Sequence, residues 1–561
     1  MVKKHARELF WSTILLTAAT LAVRTVSVGF GVWISNRAGA EAMGLFSLMS
    51  GVYGFALTLA TAGIHLGVVH LIVDATGKGE NHRVSLIMRR AVLYALTLGI
   101  SSAALLTLFA EPISVYWLHD MRTVRSLRLF GISLPLIALS SVFSGYFTAV
   151  RRTYKNATVQ VLEQGIKIGA TMYLLAILFA GDIEAVCCAL VLGGVVAECG
   201  SFLIHLGLFL MDKSRHFPQK TVKKEKGITK RLLGISLPIA LTAYLRSGLI
   251  TLQHILIPEG LRRRGSAHAA ALAAYGSVHS MAMPILLYPA ALISSCAGLL
   301  VPEIAECHVQ NSRRRICYMI SRVWWLALLF SIGTAGILAC FSQEIGHALY
   351  PGTDAGNYIR ILAPLVPIMY VDTATDAIMK GLGEQVYSMN INIADALISV
   401  VLVWLLIPRF GIGGYLFTIY FSELFNTVLS IAHLLSLTAP RIRLGKWVFK
   451  PLFAIVGATS AVRLCAQAFP TPIDPPALSI TVHVLLCLLL YLLLLWLLGA
   501  VDREDRLWFS TLFSKKSRTR SLDTPNKRMR PAAYRNSRRY CRPSNAAFSV
   551  GMSNEKSATS E

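Results

Sequence analysis

FWSTILLTAATLAVRTVSVGFGVWI, residues 10–34, is a long apolar run interrupted by one full charge, Arg24. About 20 consecutive apolar residues coiled as an α-helix match the ~30 Å hydrocarbon core of a bilayer. Lys3, Lys4 and Arg7 precede the run. A basic tip and an apolar stretch are also the marks of a secretory signal. This run continues past Arg24 to Ile34 without a convincing cleavage site, so it reads as an uncleaved first span.

The same pattern recurs along all 561 residues, which are 55% hydrophobic and 15% charged, with a mean hydropathy of +0.58. Soluble chains usually carry about 25% charged residues. Fourteen candidate spans follow: 10–34, 46–72, 91–110, 129–150, 159–180, 184–210, 232–257, 272–300, 323–341, 359–379, 389–407, 411–437, 447–467 and 479–500. The runs are continuous and Leu/Ala-rich, not alternating, which excludes a closed β-barrel. The expected fold is all-α and polytopic.

Lysine and arginine orient the spans. With the N-terminus placed in the cytoplasm, the inner connections collect 27 basic residues and the outer ones 9, three of them Arg262, Arg263 and Arg264. The tail after residue 501 adds 14. The chain is therefore expected in the cytoplasmic membrane, with both termini on the cytoplasmic side. Four of the 54 basic residues remain at membrane depth: Arg24, Lys167, Arg246 and Arg463.

An internal repeat of about six spans organises the chain. LTAATLAVRTVSVGFGVWI (16–34) can be laid on PIALTAYLRSGLITLQHIL (238–256), with Arg24 against Arg246. LPLIALSSVFSGYFTAV (134–150) likewise corresponds to VPIMYVDTATDAIMKGL (366–382). The expected organisation is an N-lobe (1–211), a basic linker (212–231), a C-lobe (232–440), two added helices (441–500) and a basic tail (501–561). Within the tail, 502–516 has an amphipathic pattern, and the rest is polar and basic. Such segments suit anionic lipid head groups. Nucleic acid is not expected as a partner, because a cytoplasmic tail is basic under the positive-inside rule.

Charges at depth are costly, about 2.5–3.5 kcal/mol each on insertion scales, and so mark functional candidates. Arg24 and Arg246 sit at matched depth in the two halves. A guanidinium stays charged and offers a bidentate fork to phosphate, which makes the pair a candidate clamp; structural pairing with buried acids is the alternative. Lys167 stands one turn after Glu163, so it is either a third substrate contact or half of a local helix pair. Arg463, near an outer end, is placed to snorkel. The acids at depth are Glu163, Glu198, Asp372, Asp376, Asp395 and Glu423. Glu198, Asp372, Asp376 and Glu423 are candidates for coupling transport to protons or sodium; neutralising the four cations is the alternative reading. His65, His70, His254 and His279 have no zinc-helix spacing and read as hydrogen-bonded core residues. Ten cysteines include no CxxC pair, so no metal site or disulfide scaffold is indicated. Walker, GxSxG and zinc-hydrolase motifs are absent, so neither catalytic residues nor a cofactor are expected, and the chain is not read as an enzyme.

AYGSVHSMAMPILLYPAALISSCAGLLVPEIAE (274–306) and YFTAVRRTYKNATVQVLEQGIKIG (146–169) resemble segments of the stage V sporulation protein B family, from residue 8 to about 500. That family lies in the multidrug/oligosaccharidyl-lipid/polysaccharide exporter superfamily, which also holds the lipid II flippase. The resemblance implies two six-helix lobes in a V, alternating access, a cationic central cavity, and Lys167 in the family's basic position on the fifth span. It also implies that the last two helices help to form a groove for a polyprenyl tail. Lipid II flippases usually carry a second arginine soon after the first; GFGVW, residues 29–33, has none. The function expected from this is translocation of a polyprenyl-pyrophosphate-linked oligosaccharide or cell-wall precursor. A cation-coupled exporter of drugs or metabolites, and a non-transporting scaffold for wall synthesis, are the alternatives.

Overall fold

The computed structural model describes residues 2–78, 80, 82–178, 182–216, 227–310, 312–440, 443–468 and 476–500. The tail beyond 500 and half of the expected linker, 217–226, lie outside the described residues. Fifteen helices carry the architecture. α1 is Val2–Thr61, α2 Ile64–Gly77, α3 His82–Leu108, α4 Thr123–Ala149, α5 Thr153–Leu178, α6 Ile183–His216 and α7 Ile228–Arg263. α8 is His268–Gly276, α9 Ala290–Val309, α10 Arg313–Cys340 and α11 Val366–Leu382. α12 is Gln385–Phe410, α13 Ile412–Thr438, α14 Lys450–Ala468 and α15 Pro476–Leu497.

α1 spans 60 residues, about 90 Å at 1.5 Å per residue. A helix of that length cannot cross a ~30 Å hydrocarbon core once and stop. It turns back at Gly39, whose φ of 80° and ψ of 168° leave the helical region. A positive φ there is accessible to glycine at little cost because it has no Cβ. The loop expected over 35–45 is therefore a sharp corner within one long element. Past the corner, the second arm and α2 carry the second span to Gly77, five residues beyond the expected end.

The eighth span departs in the same direction. Instead of one helix over 272–300, it comprises α8, a widened turn over Ser277–Ala282, a short helix Met283–Leu287 and α9. Pro284 and Pro289 lie in this region, and each lacks the N–H that would continue the ladder. Among the described residues, 13 helices are long and apolar enough to cross a membrane. That count joins the first two expected spans, divides the eighth and leaves out α5. The chain is a multi-pass helical membrane protein.

The first twelve spans pack around a continuous core that includes Leu45, Met49, Leu134, Phe147, Leu272, Tyr275, Leu365 and Tyr370. Within it, Tyr370 Oη donates to Leu286 O at 2.8 Å. α14 and α15 join a smaller cluster against α10, with Ala454, Ile455, Ala458, Tyr491 and Leu495. Tyr491 Oη donates to Leu329 O at 2.7 Å, pinning α15 to α10. Leu485, Leu489, Leu492 and Trp496 remain exposed on α15; lipid tails cover such a face without the penalty water would impose.

Candidate functional site

Arg24 sits in the first arm of α1 with its side chain exposed, and makes no hydrogen bond or ion pair among the described residues. Its neighbour Thr25 meets Tyr288 across the lobe boundary, Oγ1 to Oη, at 2.7 Å. Arg246, on α7, is also exposed, and its Nη2 donates to Asn392 Oδ1 at 3.2 Å. The residue after it, Ser247, accepts from Thr58 Oγ1 of the second α1 arm at 3.0 Å. Each arginine is thus followed directly by a residue that bonds to the opposite lobe. Neither is locked against an acid at ion-pair distance among the described residues.

Behind Arg246 lies a polar network that joins α11, α12 and α13. Ser388 Oγ donates to Asp376 Oδ1 at 2.7 Å, and Asn392 Nδ2 to Ser388 O at 2.7 Å. Asn426 Nδ2 donates to the Asn392 oxygen that also accepts from Arg246, at 3.3 Å. Ser422 Oγ donates to Asp395 Oδ2 at 2.9 Å, and the Arg246 charge lies within electrostatic reach of Asp395. Asp372 interacts electrostatically with Asp376 and Asp395, and Glu423 with Asp372 and Asp395. Asp372 Oδ1 and Asp395 Oδ1 are buried without a hydrogen-bond partner. Four acids and one guanidinium share this region. Of the expected coupling residues, Asp372, Asp376 and Glu423 fall here together.

Glu198 belongs to a separate group in the other lobe. Glu163 and Glu198 act on one another, and Lys167 acts on both. Lys167 itself is exposed and forms no ion pair within 4.0 Å among the described residues. Tyr53 stands beside the two acids, its hydroxyl 2.8 Å from Ser133 Oγ. Glu163 also lines a cavity of ≈ 370 Å³ between α4, α5 and α6, with Ser144, Asn156, Gln160 and His205. His205 Nδ1 faces Ser201 O at 3.1 Å, which leaves Nε2 buried and unpartnered.

Other depth residues are structural. Arg463 donates to the Cys340 carbonyl at the end of α10, a fixed contact where snorkelling alone was expected. His254 Nδ1 lies 2.6 Å from Tyr275 Oη, and its ring is 4.7 Å from that of His279. No group of three or more His, Cys, Asp or Glu among the described residues is arranged to hold a metal ion. Sequence reasoning missed Ser388, Asn392, Ser422 and Asn426, since it followed ionisable residues only. Two asparagines inside apolar spans are the signal that would have found them, because a buried amide needs partners for all its polar atoms.

The sequence profile of the family described as "Polysaccharide biosynthesis protein" matches residues 9–308. The chain belongs to this family. A second profile, MatE, matches residues 264–405. The polysaccharide biosynthesis family member described here is 26% identical over 426 residues to "Stage V sporulation protein B" of Bacillus subtilis (strain 168), covering 75% of this chain and 82% of the relative. It is 23% identical over 471 residues to "Uncharacterized membrane protein YabM" of the same organism, covering 82% and 84%. Among solved structures, "Lipid II flippase MurJ, inward closed conformation" aligns with a TM-score of 0.65 at 12% identity, over 89% of this chain and all (100%) of that one. An inward-facing multidrug resistance MATE family transporter of the MOP superfamily aligns with a TM-score of 0.59 at 15% identity, over 74% and 93%. The family resemblance read from residues 146–169 and 274–306 is thus supported by independent similarity, and the fold is that of the MurJ and MATE structures.

Proposed function

We propose that the chain is a flippase that moves a lipid-linked oligosaccharide or cell-wall precursor from the inner to the outer leaflet of the cytoplasmic membrane by alternating access. The carrying observation is the pair Arg24 and Arg246, two exposed guanidinium groups beside cross-lobe contacts, one of them without a hydrogen bond or ion pair among the described residues. A polyprenyl-pyrophosphate group supplies the oxygens that such forks bind, and Lys167 adds a third cation. Family membership and the names of the relatives, a sporulation protein and a lipid II flippase, favour this cargo class over soluble metabolites. The acids behind Arg246 are the proposed coupling element: a proton or monovalent cation entering among Asp372, Asp376 and Glu423 alters the field at Arg246 through Asn392 and Asp395. Glu198 would play the corresponding part in the N-lobe.

The test is translocation of polyprenyl-pyrophosphate sugars in reconstituted vesicles, with and without a membrane potential. Arg24→Ala and Arg246→Ala are expected to abolish head-group movement while the protein still inserts and folds. Full transport by both variants rejects the clamp. A second reading, a cation-coupled drug or metabolite exporter, draws on the MatE match at residues 264–405, which contains Asp372, Asp376 and Asp395. Growth protection against cationic drugs, with no effect on lipid-linked sugars, would favour that reading.

A further inference from the structure

At the end of the bundle that the basic-residue bias places outside, the lobes meet through imidazole–carboxylate contacts made by histidines on both sides. His119 follows the widened turn Ile113–Leu118 in the N-lobe; its Nε2 is 3.5 Å from Glu259 Oε2 on α7 of the C-lobe. His268 opens α8 of the C-lobe; its Nε2 is 3.2 Å from Asp120 Oδ2 of the N-lobe. The arrangement is reciprocal, each lobe supplying one imidazole and one carboxylate.

Each carboxylate is also held from within its own lobe. Arg122 Nη2 reaches Asp120 Oδ2 at 2.7 Å and Glu41 Oε1, at the start of the second α1 arm, at 3.0 Å. The Asp120 side chain is only 5% exposed. Glu259 is flanked by Arg262 at 3.3 Å and Arg263 at 3.1 Å on its own helix. His119 occupies the left-handed backbone region, with φ 53°, an uncommon conformation for a residue with a Cβ. That turn presents its ring to the opposite lobe. Directly below, the helices touch backbone to backbone. A Cβ on Gly44 would fall 2.0 Å from Leu272 O, and one on Gly276 would fall 2.4 Å from Ala40 O.

We infer that Asp120–His268 and His119–Glu259 form a two-point imidazole–carboxylate latch that holds the outer end of the lobes together over the Gly44–Gly276 seam. During the transport cycle this end must part, and these are the contacts that would break. The latch does not depend on which cargo is carried, so its failure and that of the flippase reading are separable.

The measurement is a distance distribution between genetically encoded spin labels at positions 116 and 267, in full-length protein in lipid nanodiscs. Tyr116 is 74% exposed, and both sites lie outside the bonded residues. The His119→Gln/His268→Gln and Asp120→Asn/Glu259→Gln variants are each expected to raise the long-distance population about three- to tenfold, the scale of two weak polar contacts near a surface. Gly276→Ala, which forces the seam apart sterically, shows that the label pair reports opening. Wild-type distributions in both double variants, with a lengthened one in Gly276→Ala, overturn the latch.

Discussion

At the residue scale, the two arginines have unlike surroundings despite the matched places expected of them from the sequence. Arg24 makes no hydrogen bond or ion pair among the described residues, whereas Arg246 is tied to Asn392 and lies near Asp395. Charge-assisted hydrogen bonds contribute about 1.5–3 kcal/mol each. Under the clamp reading, Arg24→Ala should therefore weaken substrate affinity by about ten- to a hundredfold, measured by binding of a pyrophosphate-bearing lipid in nanodiscs. Asn392→Ala is expected to alter the dependence of transport on the cation gradient more than it alters that affinity, because it removes the link between Arg246 and the acids. Equal loss in both measurements would argue that Asn392 only supports the fold.

At the element scale, the corners and seams depend on glycine. Gly39→Ala would put a Cβ into a backbone with φ 80° and ψ 168°, at a cost of about 1–3 kcal/mol. The expected readout is a lower melting temperature with the same helical content. Gly276→Ala strikes backbone instead of a movable side chain, and overpacking of this kind costs about 1–3 kcal/mol. It should destabilise at least as much and also shift the lobes, whereas Gly39→Ala acts within one lobe. On the far side of the C-lobe, Tyr491→Phe removes the bond to Leu329 O, a loss of about 0.5–1.5 kcal/mol, read as earlier loosening of α15 in hydrogen exchange.

At the scale of the whole molecule, a closure that depends on the Asp120 carboxylate at one end responds to pH through that group. Burial opposes the charge on Asp120, but hydrogen bonds from Arg122 and His268 outweigh it and hold its pKa below the ordinary carboxylate value of 3.8. A depressed carboxylate pKa stabilises the folded form above the unfolded value and loses that contribution as pH falls through the folded one. Asp120 should therefore keep its charge on acidification to about pH 5, with its share of the closure lost only below about pH 4. Spin-label distances recorded over that range check the sign; opening on mild acidification that Asp120→Asn abolishes would contradict it.

The apolar runs and their basic flanks determined the membrane-spanning helical fold, because a bilayer leaves the backbone few alternatives. Arg24, Arg246, Lys167 and the acids at depth were legible for the same reason: a charge in hydrocarbon is conspicuous. Neither the corner at Gly39 nor the broken eighth span was, since a glycine or proline can be tolerated within a helix or end it according to its neighbours. Asn392 and Asn426 gained their meaning from facing one another across two helices. Only tertiary structure decided that His119 and Asp120 meet Glu259 and His268, which lie far along the chain from them, at one end of the lobes. Hydropathy and charge act locally along a chain, whereas partnership between side chains depends on how whole helices are brought together.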